Sequence, residues 1–290
     1  MTIATHQYPT LPAAPPARAP LLAASVEAAY VAGESIMKVY AEAFSVEYKA
    51  DDSPLTAADR AAHADITAVL AKTNLPIMSE ESAQAPYATR RHWPAFWLVD
   101  PLDGTKEFVK RNDEFTVNIA LIENGQPVLG VVYAPALQDG YIGLAGVGAF
   151  RSQQQQPFTA LPDRPAVDGP LRVVASRSHP TPDTEAFVAR LTADGRPVER
   201  VTRGSALKLC MVAAGAAHCY PRLAPTMEWD TAAAQAVLNS VGGQVVVYDD
   251  AARTAFMANG LPALSALPQL TYNRADLVNP WFVALHPGVL

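Results

Sequence analysis

The 290-residue sequence predicts a mixed α/β protein, an α+β half followed by an α/β half. Three observations carry that reading. Apolar residues recur at helical spacing in some segments and as short continuous strand-like runs in others. From about residue 171 these patterns alternate as strand, helix, strand, helix, which marks an α/β layer. The length suffices for two domains, or for one large one whose core folds unaided.

Residues 1–20 hold five prolines and a single charged side chain, Arg18, and lack the basic segment and unbroken apolar stretch of a signal peptide. They are expected to form a mobile leader outside core and site. From about Leu21 to Phe44 the apolar positions Leu22, Val26, Ala29, Tyr30, Gly33, Ile36, Met37 and Tyr40 predict an amphipathic helix. A second helix starts near Thr56, which with Asp59 three places on has the pattern of a capping box, and runs to about Lys72. Pro76–Met78 and the bulky run Phe96–Asp100 are strands, the latter ending on a carboxylate. Phe115–Ile122 and Pro127–Tyr133 form a hairpin around Glu123-Asn124-Gly125-Gln126, and Tyr141–Phe150 holds two more short strands. Composition breaks at Arg151–Pro157 and stays irregular to Pro170, so the halves are placed at 21–155 and 156–290. The second half then reads as strands at Leu171–Ala175, Arg200–Thr202, Ala217–Tyr220 and Gln244–Tyr248, with helices at Thr184–Thr192, Ala206–Gly215 and Thr231–Val241.

Only 17% of residues are charged, 22 basic against 28 acidic, for a net charge of −6. That balance argues against a protein that grips a nucleic acid polymer by its phosphates. It leaves room for a small anionic substrate if a cation is recruited from solution. No apolar run reaches the roughly 18 residues needed to span a bilayer. Cys210 and Cys219 make neither a disulfide framework nor a four-ligand zinc site, and are expected to be buried small hydrophobes in a reducing compartment. The expectation is a soluble cytoplasmic protein.

The sparse acids gather at element boundaries, in Asp51–Asp59, Ser79-Glu80-Glu81-Ser82, Asp100-Pro101-Leu102-Asp103-Gly104-Thr105 and Glu228-Trp229-Asp230-Thr231. Strand ends that meet helix starts are where α/β folds place ligands. Each segment also has a plain structural explanation: Asp59 completes a capping box, Asp230 caps a helix, Asp103-Gly104 makes a turn, and Glu80 and Glu81 are solvated. The third segment resists that account. It puts two carboxylates on one tight turn, beside a glycine that permits close backbone approach and amides that can face an anion. Oxygen donors without His or Cys select a hard cation, magnesium before zinc. The spacing departs from the Asp-x-Asp-x-Asp-Gly loop of a calcium-binding hand.

Asp100–Thr105 resembles the first signature of the inositol monophosphatase superfamily and Trp229-Asp230-Thr231-Ala232-Ala233 its second, with Leu55–Asp59 and Ser79–Ser82 matching in order. The continuation Thr105-Lys106-Glu107-Phe108, Ser176-Arg177-Ser178-His179, Gly204–Lys208, Tyr220-Pro221-Arg222 and Asn279-Pro280 resemble the bacterial 3′(2′),5′-bisphosphate nucleotidase branch. The resemblance covers about residues 21–286. It implies a layered αβαβα sandwich, the sugar-phosphatase fold, with the second half completing the site and supplying the leaving-group pocket.

The resemblance also implies roles. Glu80, Asp100 and the Leu102 carbonyl hold one magnesium ion, and Asp100, Asp103 and Asp230 hold a second, with Glu80 reaching a third through water in some relatives. Thr105, hydrogen-bonded to Asp59, orients and deprotonates the attacking water, and the Gly104 and Thr105 amides receive phosphate oxygens at a helix start. Ser176, Arg177, His179 and Lys208 are candidates for nucleotide contacts, each with surface charge near a turn as the plain alternative. His63 and His218 are expected to be packed or at the surface, Glu107 and Lys110 to lie on a solvated helix face, and Trp229 to pack behind Asp230.

The activity implied is magnesium-dependent, lithium-sensitive removal of the 3′-phosphate of adenosine 3′,5′-bisphosphate, giving AMP and phosphate in support of sulfate assimilation. An inositol or sugar monophosphate phosphatase on the same fold is the first alternative, and a non-catalytic metal- or nucleotide-binding regulator the second. Relatives occur as monomers and homodimers, and bacterial members can associate peripherally with the inner membrane, although no basic amphipathic helix here argues for that.

Overall fold

The computed structural model describes residues 8–42, 46–48, 54–162, 169–175, 181–193 and 195–289. In chain order the elements are α1 (Ala19–Ala41), β1 (Val46–Tyr48), β2 (Pro54–Thr56), α2 (Ala57–Leu70), β3 (Ile77–Ser79), α3 (Tyr87–Arg90), β4 (Ala95–Asp103), α4 (Thr105–Val109), β5 (Thr116–Glu123), β6 (Gln126–Ala134), β7 (Asp139–Leu144), β8 (Gly148–Gln153) and β9 (Thr159–Ala160). The second half continues with β10 (Leu171–Val174), α5 (Pro182–Thr192), β11 (Val198–Val201), α6 (Leu207–Ala213), β12 (Cys219–Arg222), α7 (Glu228–Ser240), β13 (Gln244–Val247), α8 (Asp250–Asn259) and β14 (Phe282–Leu285).

Strands β3 to β9 form a seven-stranded sheet in sequence order, parallel only between β3 and β4. Its central strands read as unbroken apolar runs because both faces are covered. Helices α1 and α2 bury Leu22, Val26, Ile36, Ile66 and Leu70 on one face, against Trp97, Val99, Val117 and Ile119. Helices α6 and α7 cover the other face and separate it from a five-stranded sheet of order β11-β10-β12-β14-β13. Beyond that sheet lies the outermost layer, α5 and α8, joined by the stacked rings of Phe187 and Phe256 at 4.1 Å. The result is the expected αβαβα sandwich.

Glycine and alanine set the spacing at the centre. A Cβ on Gly130 would lie 2.1 Å from the Ala233 carbonyl, and one on Gly143 only 2.4 Å from the Val237 Cα. These two bare strand positions let the alanine-rich α7 lie directly on the first sheet, which fixes where its N-terminal carboxylate points.

Three differences from the sequence reading have physical causes. The leader is docked from Tyr8 onward: Tyr8 meets Tyr30 edge-on at 5.6 Å, Leu11 and Ala14 pack on the α1–α2 cluster, and Arg18 pairs with Glu123 at the β5–β6 turn. Prolines that fix φ lower the entropy lost on docking such a segment. The first sheet extends through β9, past the boundary placed at 155, and α7 of the second half packs on that sheet, so the halves share one core. The second sheet is mixed: β10 is parallel to β11 and β12, but β14 enters between β12 and β13, antiparallel to both. Neither β14 nor α8 stands out in the sequence. Cys210 and Cys219 are fully buried free thiols, as expected.

Candidate active site

Strand β4 carries the first two carboxylates. Residues three apart on a regular strand point to opposite faces. Here Asp100 pairs with Asn118 and Asp103 with Thr116, so three steps on β4 oppose two on β5. This bulge restores parity and brings Asp100 and Asp103 to one face. Gly104 follows at φ +89°, a left-handed conformation that favours glycine, and a Cβ there would sit 3.2 Å from the Glu114 carbonyl.

The other acids arrive from helix starts and from β3. Glu80 follows β3, its amide bonded to the Val99 carbonyl at 3.1 Å. Asp230 sits three residues into α7, which starts earlier than the sequence reading placed it, and one of its oxygens accepts the Met227 amide at 2.8 Å. Asp59 occupies the same position in α2: its Oδ2 accepts the Thr56 amide and hydroxyl, both at 2.7 Å. The capping explanation thus holds for both aspartates, and it occupies only one oxygen of each.

Glu80, Asp100 and Asp230 converge with one carboxylate oxygen each, all within 4.8 Å of one another. Asp100 is 2% exposed. Burial, then the charges of Glu80, Asp103 and Asp230, hold its carboxyl well above the usual range. Asp230 is pushed up to about 8, chiefly by burial and the Asp103 charge, against the Met227 amide and Arg222. Like charges about 4 Å apart cost roughly 4 kcal/mol per pair at an effective dielectric near 20. Convergent oxygen-only donors that repel one another fit a hard divalent cation.

Asp103 stands apart from that trio. Its Oδ2 accepts the Ser205 hydroxyl and the Ala206 amide, both at 2.6 Å, and the Asn118 side chain at 3.4 Å. The Leu102 amide donates to Asp100 Oδ1 at 3.0 Å. The Thr105 hydroxyl lies 3.4 Å from Asp59 Oδ1 and 3.3 Å from the Leu102 carbonyl, and its one proton can serve only one of them at a time.

A cleft of about 330 Å³ opens beside Asp103 and Asp230. Its wall carries five cations, Lys106, Lys110, Arg203, Lys208 and Arg222, alongside Glu107 and Glu114. Lys208 donates to the Ser205 carbonyl at 3.0 Å. Ser176, Arg177 and His179 lie outside the described residues. Glu107 and Lys110 line the cleft, a more specific position than a solvated helix face. Trp229 is buried in the core behind Asp230. His63 meets the Ser79 hydroxyl at 3.0 Å, while the fully buried His218 accepts the Arg172 amide at 2.9 Å.

Sequence reasoning assigned no role to Arg222, Ser205 or Glu114. Arg222 was visible in the Tyr220-Pro221-Arg222 motif. Its Nη2 donates to the Pro225 carbonyl at 3.0 Å, while its buried Nε has no hydrogen-bond partner among the described residues. The half-buried guanidinium as a whole lines the cleft, where its charge suits an anionic oxygen.

Comparison with known proteins agrees with this geometry. The model of the inositol monophosphatase family matches residues 17–278. A 3′(2′),5′-bisphosphate nucleotidase CysQ of Salmonella typhimurium is 47% identical over 220 residues, 74% of this chain and 85% of that protein. The nucleotidase CysQ of Haemophilus influenzae is 34% identical over 259 residues, 88% of each chain. The crystal structure of CysQ from Bacteroides thetaiotaomicron superposes with a TM-score of 0.78 at 41% identity, covering 92% of this chain and 97% of that one. An Anabaena inositol monophosphatase gives 0.66 at 25% identity, over 93% and 91% of the two chains. With its carboxylates clustered beneath a cationic cleft on this layered sandwich, the chain belongs to the inositol monophosphatase family.

Proposed function

We propose that this protein is a phosphatase that hydrolyses the 3′-phosphate of adenosine 3′,5′-bisphosphate to AMP and phosphate, with magnesium as its cation. The observation that carries the substrate is the cleft wall. Five cationic side chains beside the carboxylate cluster suit a substrate with a second phosphate beyond the scissile one, whereas the monophosphate of a neutral polyol needs no such wall. The names of the CysQ relatives point the same way.

In this reading Glu80, Asp100 and Asp230 form the core of the cation site. Asp103 and the Leu102 carbonyl would complete it. When bound, the cations supply a water of lowered pKa and neutralise charge on the phosphate and the departing ester oxygen. The chain supplies the orientation. Asp59 Oδ1 takes the Thr105 proton, which turns the Thr105 oxygen toward a water in line with phosphorus, and the pair then accepts the proton that water gives up. The Gly104 and Thr105 amides, at the start of α4, receive phosphate oxygens. The Arg222 guanidinium and the Lys208 ammonium, both in the cleft wall, hold the phosphate that is not cleaved.

The test compares kcat/KM on adenosine 3′,5′-bisphosphate, 3′-AMP and inositol 1-phosphate, for the wild type and Arg222→Ala. The bisphosphate is expected to be the preferred substrate. Arg222→Ala is expected to raise its KM about tenfold while barely changing 3′-AMP, as for one lost charged hydrogen bond. A tenfold preference of the wild type for inositol 1-phosphate would overturn the assignment. Across the described residues, no helix is long and apolar enough to cross a membrane.

A further inference from the structure

The loop between β11 and α6 supplies the two shortest donors to Asp103, the Ser205 hydroxyl and the Ala206 amide. Ser205 sits at φ +55°, a left-handed conformation that a non-glycine residue keeps only when its surroundings fix it. Glu114, just before β5, provides that fixation. Its Oε2 accepts the Gly204 amide at 2.8 Å and its Oε1 the Arg203 guanidinium at 3.0 Å. The residue is 8% exposed, so the carboxylate is committed to the loop rather than to solvent.

The backbone of Glu114 touches both parts of the site. Its carbonyl would lie 2.7 Å from a Cβ on Gly204 and 3.2 Å from one on Gly104, so it is wedged between the cleft loop and the carboxylate turn. Two residues on, the Thr116 hydroxyl lies between the Ser205 hydroxyl and the Asn118 side-chain carbonyl oxygen and gives its one proton to one of them at a time, while the Asn118 amide reaches Asp103. Glu114, itself part of the cleft wall, thus joins that wall to the carboxylate turn.

We propose that Glu114 is a positioning residue that locks the Arg203–Ala206 loop, so that Ser205 and Ala206 aim Asp103 and the cleft wall is registered to the carboxylate cluster. This rests on the phosphatase reading for its kinetic consequences, and on geometry alone for its effect on the cation. Freeing the loop releases Asp103 and moves the wall together, so cation affinity and substrate KM change in parallel.

The experiment compares wild type, Glu114→Ala, Glu114→Asp and Glu114→Gln. It reads KM and kcat on adenosine 3′,5′-bisphosphate, magnesium Kd by calorimetry on metal-free protein, and Tm. Glu114→Ala is expected to raise KM about tenfold and to weaken magnesium binding by a similar factor, from the loss of one charged contact. Glu114→Asp keeps the charge but withdraws it by about 1.5 Å, one C–C bond. It shows the same pair of changes in smaller measure, and it serves should the alanine variant fail to fold. Glu114→Gln keeps an oxygen for the Gly204 amide and returns both constants to within about threefold of wild type. A lower Tm with KM and magnesium Kd unchanged in Glu114→Ala and Glu114→Asp overturns the proposal, because the residue is then merely structural. A wild type inactive on the bisphosphate defeats the phosphatase reading instead, and the calorimetry still decides the role of Glu114.

Discussion

Cation binding at this site must depend on pH, and the carboxylates fix the sign and the size. Asp230 is held up to about 8, and Asp100 lies well above the usual range, by burial and by their acidic neighbours. A cation entering the site therefore displaces protons at neutral pH. The ionised fraction of Asp230 rises from about one in a hundred at pH 6 to about one half at pH 8. From this group alone, magnesium affinity then rises by more than tenfold, on the order of 2 kcal/mol. Asp100 steepens the dependence without reversing it. The same shifts act on the metal-free fold in the opposite sense. A carboxyl raised in the folded state favours folding below its unfolded value near 3.8, and that contribution is lost as pH rises through about 8. Metal-free protein therefore loses stability across that window, and magnesium restores it most at the alkaline end. At free magnesium of 100 times Kd the gain is about 2.7 kcal/mol. For a chain of this size that is roughly 5 °C in Tm. Calorimetry in two buffers of different ionisation enthalpy measures the displaced protons, with about one expected from Asp230 at pH 7. Equal magnesium Kd at pH 6 and pH 8, with no proton released, would refute this account of the cluster.

Substitutions at two further positions probe separate links. Thr105→Ala should lower kcat about 100-fold while leaving magnesium Kd unchanged, and Thr105→Ser should keep most of the rate, since only the hydroxyl facing Asp59 matters; a fully active alanine variant removes Thr105 from the proton path. Gly143→Ala should destabilise the fold by about 1–3 kcal/mol through the clash with α7, read as a fall in Tm; an unchanged Tm would mean that α7 does not lie this close to the sheet.

What the sequence made legible was local. Helices α1 and α2, the central strands and the capping box at Thr56 follow from periodicity and from residues three or four apart. The clustered carboxylates stood out because acids are scarce in this chain and fall at element boundaries. The unread contacts span long separations: Ser205 meets Asp103 across 102 positions, and Gly204 meets Glu114 across 90. Nothing within a window of ten residues distinguishes such a serine from a solvated one. Strand β14 escaped for a related reason, because a four-residue apolar run becomes central only once β12 and β13 flank it.

The motif Asp100-Pro101-Leu102-Asp103 shows why even a recognisable pattern needed the fold. Spacing alone would split its carboxylates between the two faces of a strand, and only the bulge against β5 returns them to one. Asp59 and Asp230 make the complementary point. Each is a helix-start residue by local rules, and each spends one oxygen on that task. A carboxylate has two oxygens, so structural and chemical duties coexist on one side chain. Capping then serves the site, because an aspartate anchored by one oxygen presents the other in a fixed direction. Asp103 is anchored in the same way, but by a loop from the other half of the chain. Its aim therefore depends on how the two halves are held together, and that is the step at which Glu114 enters.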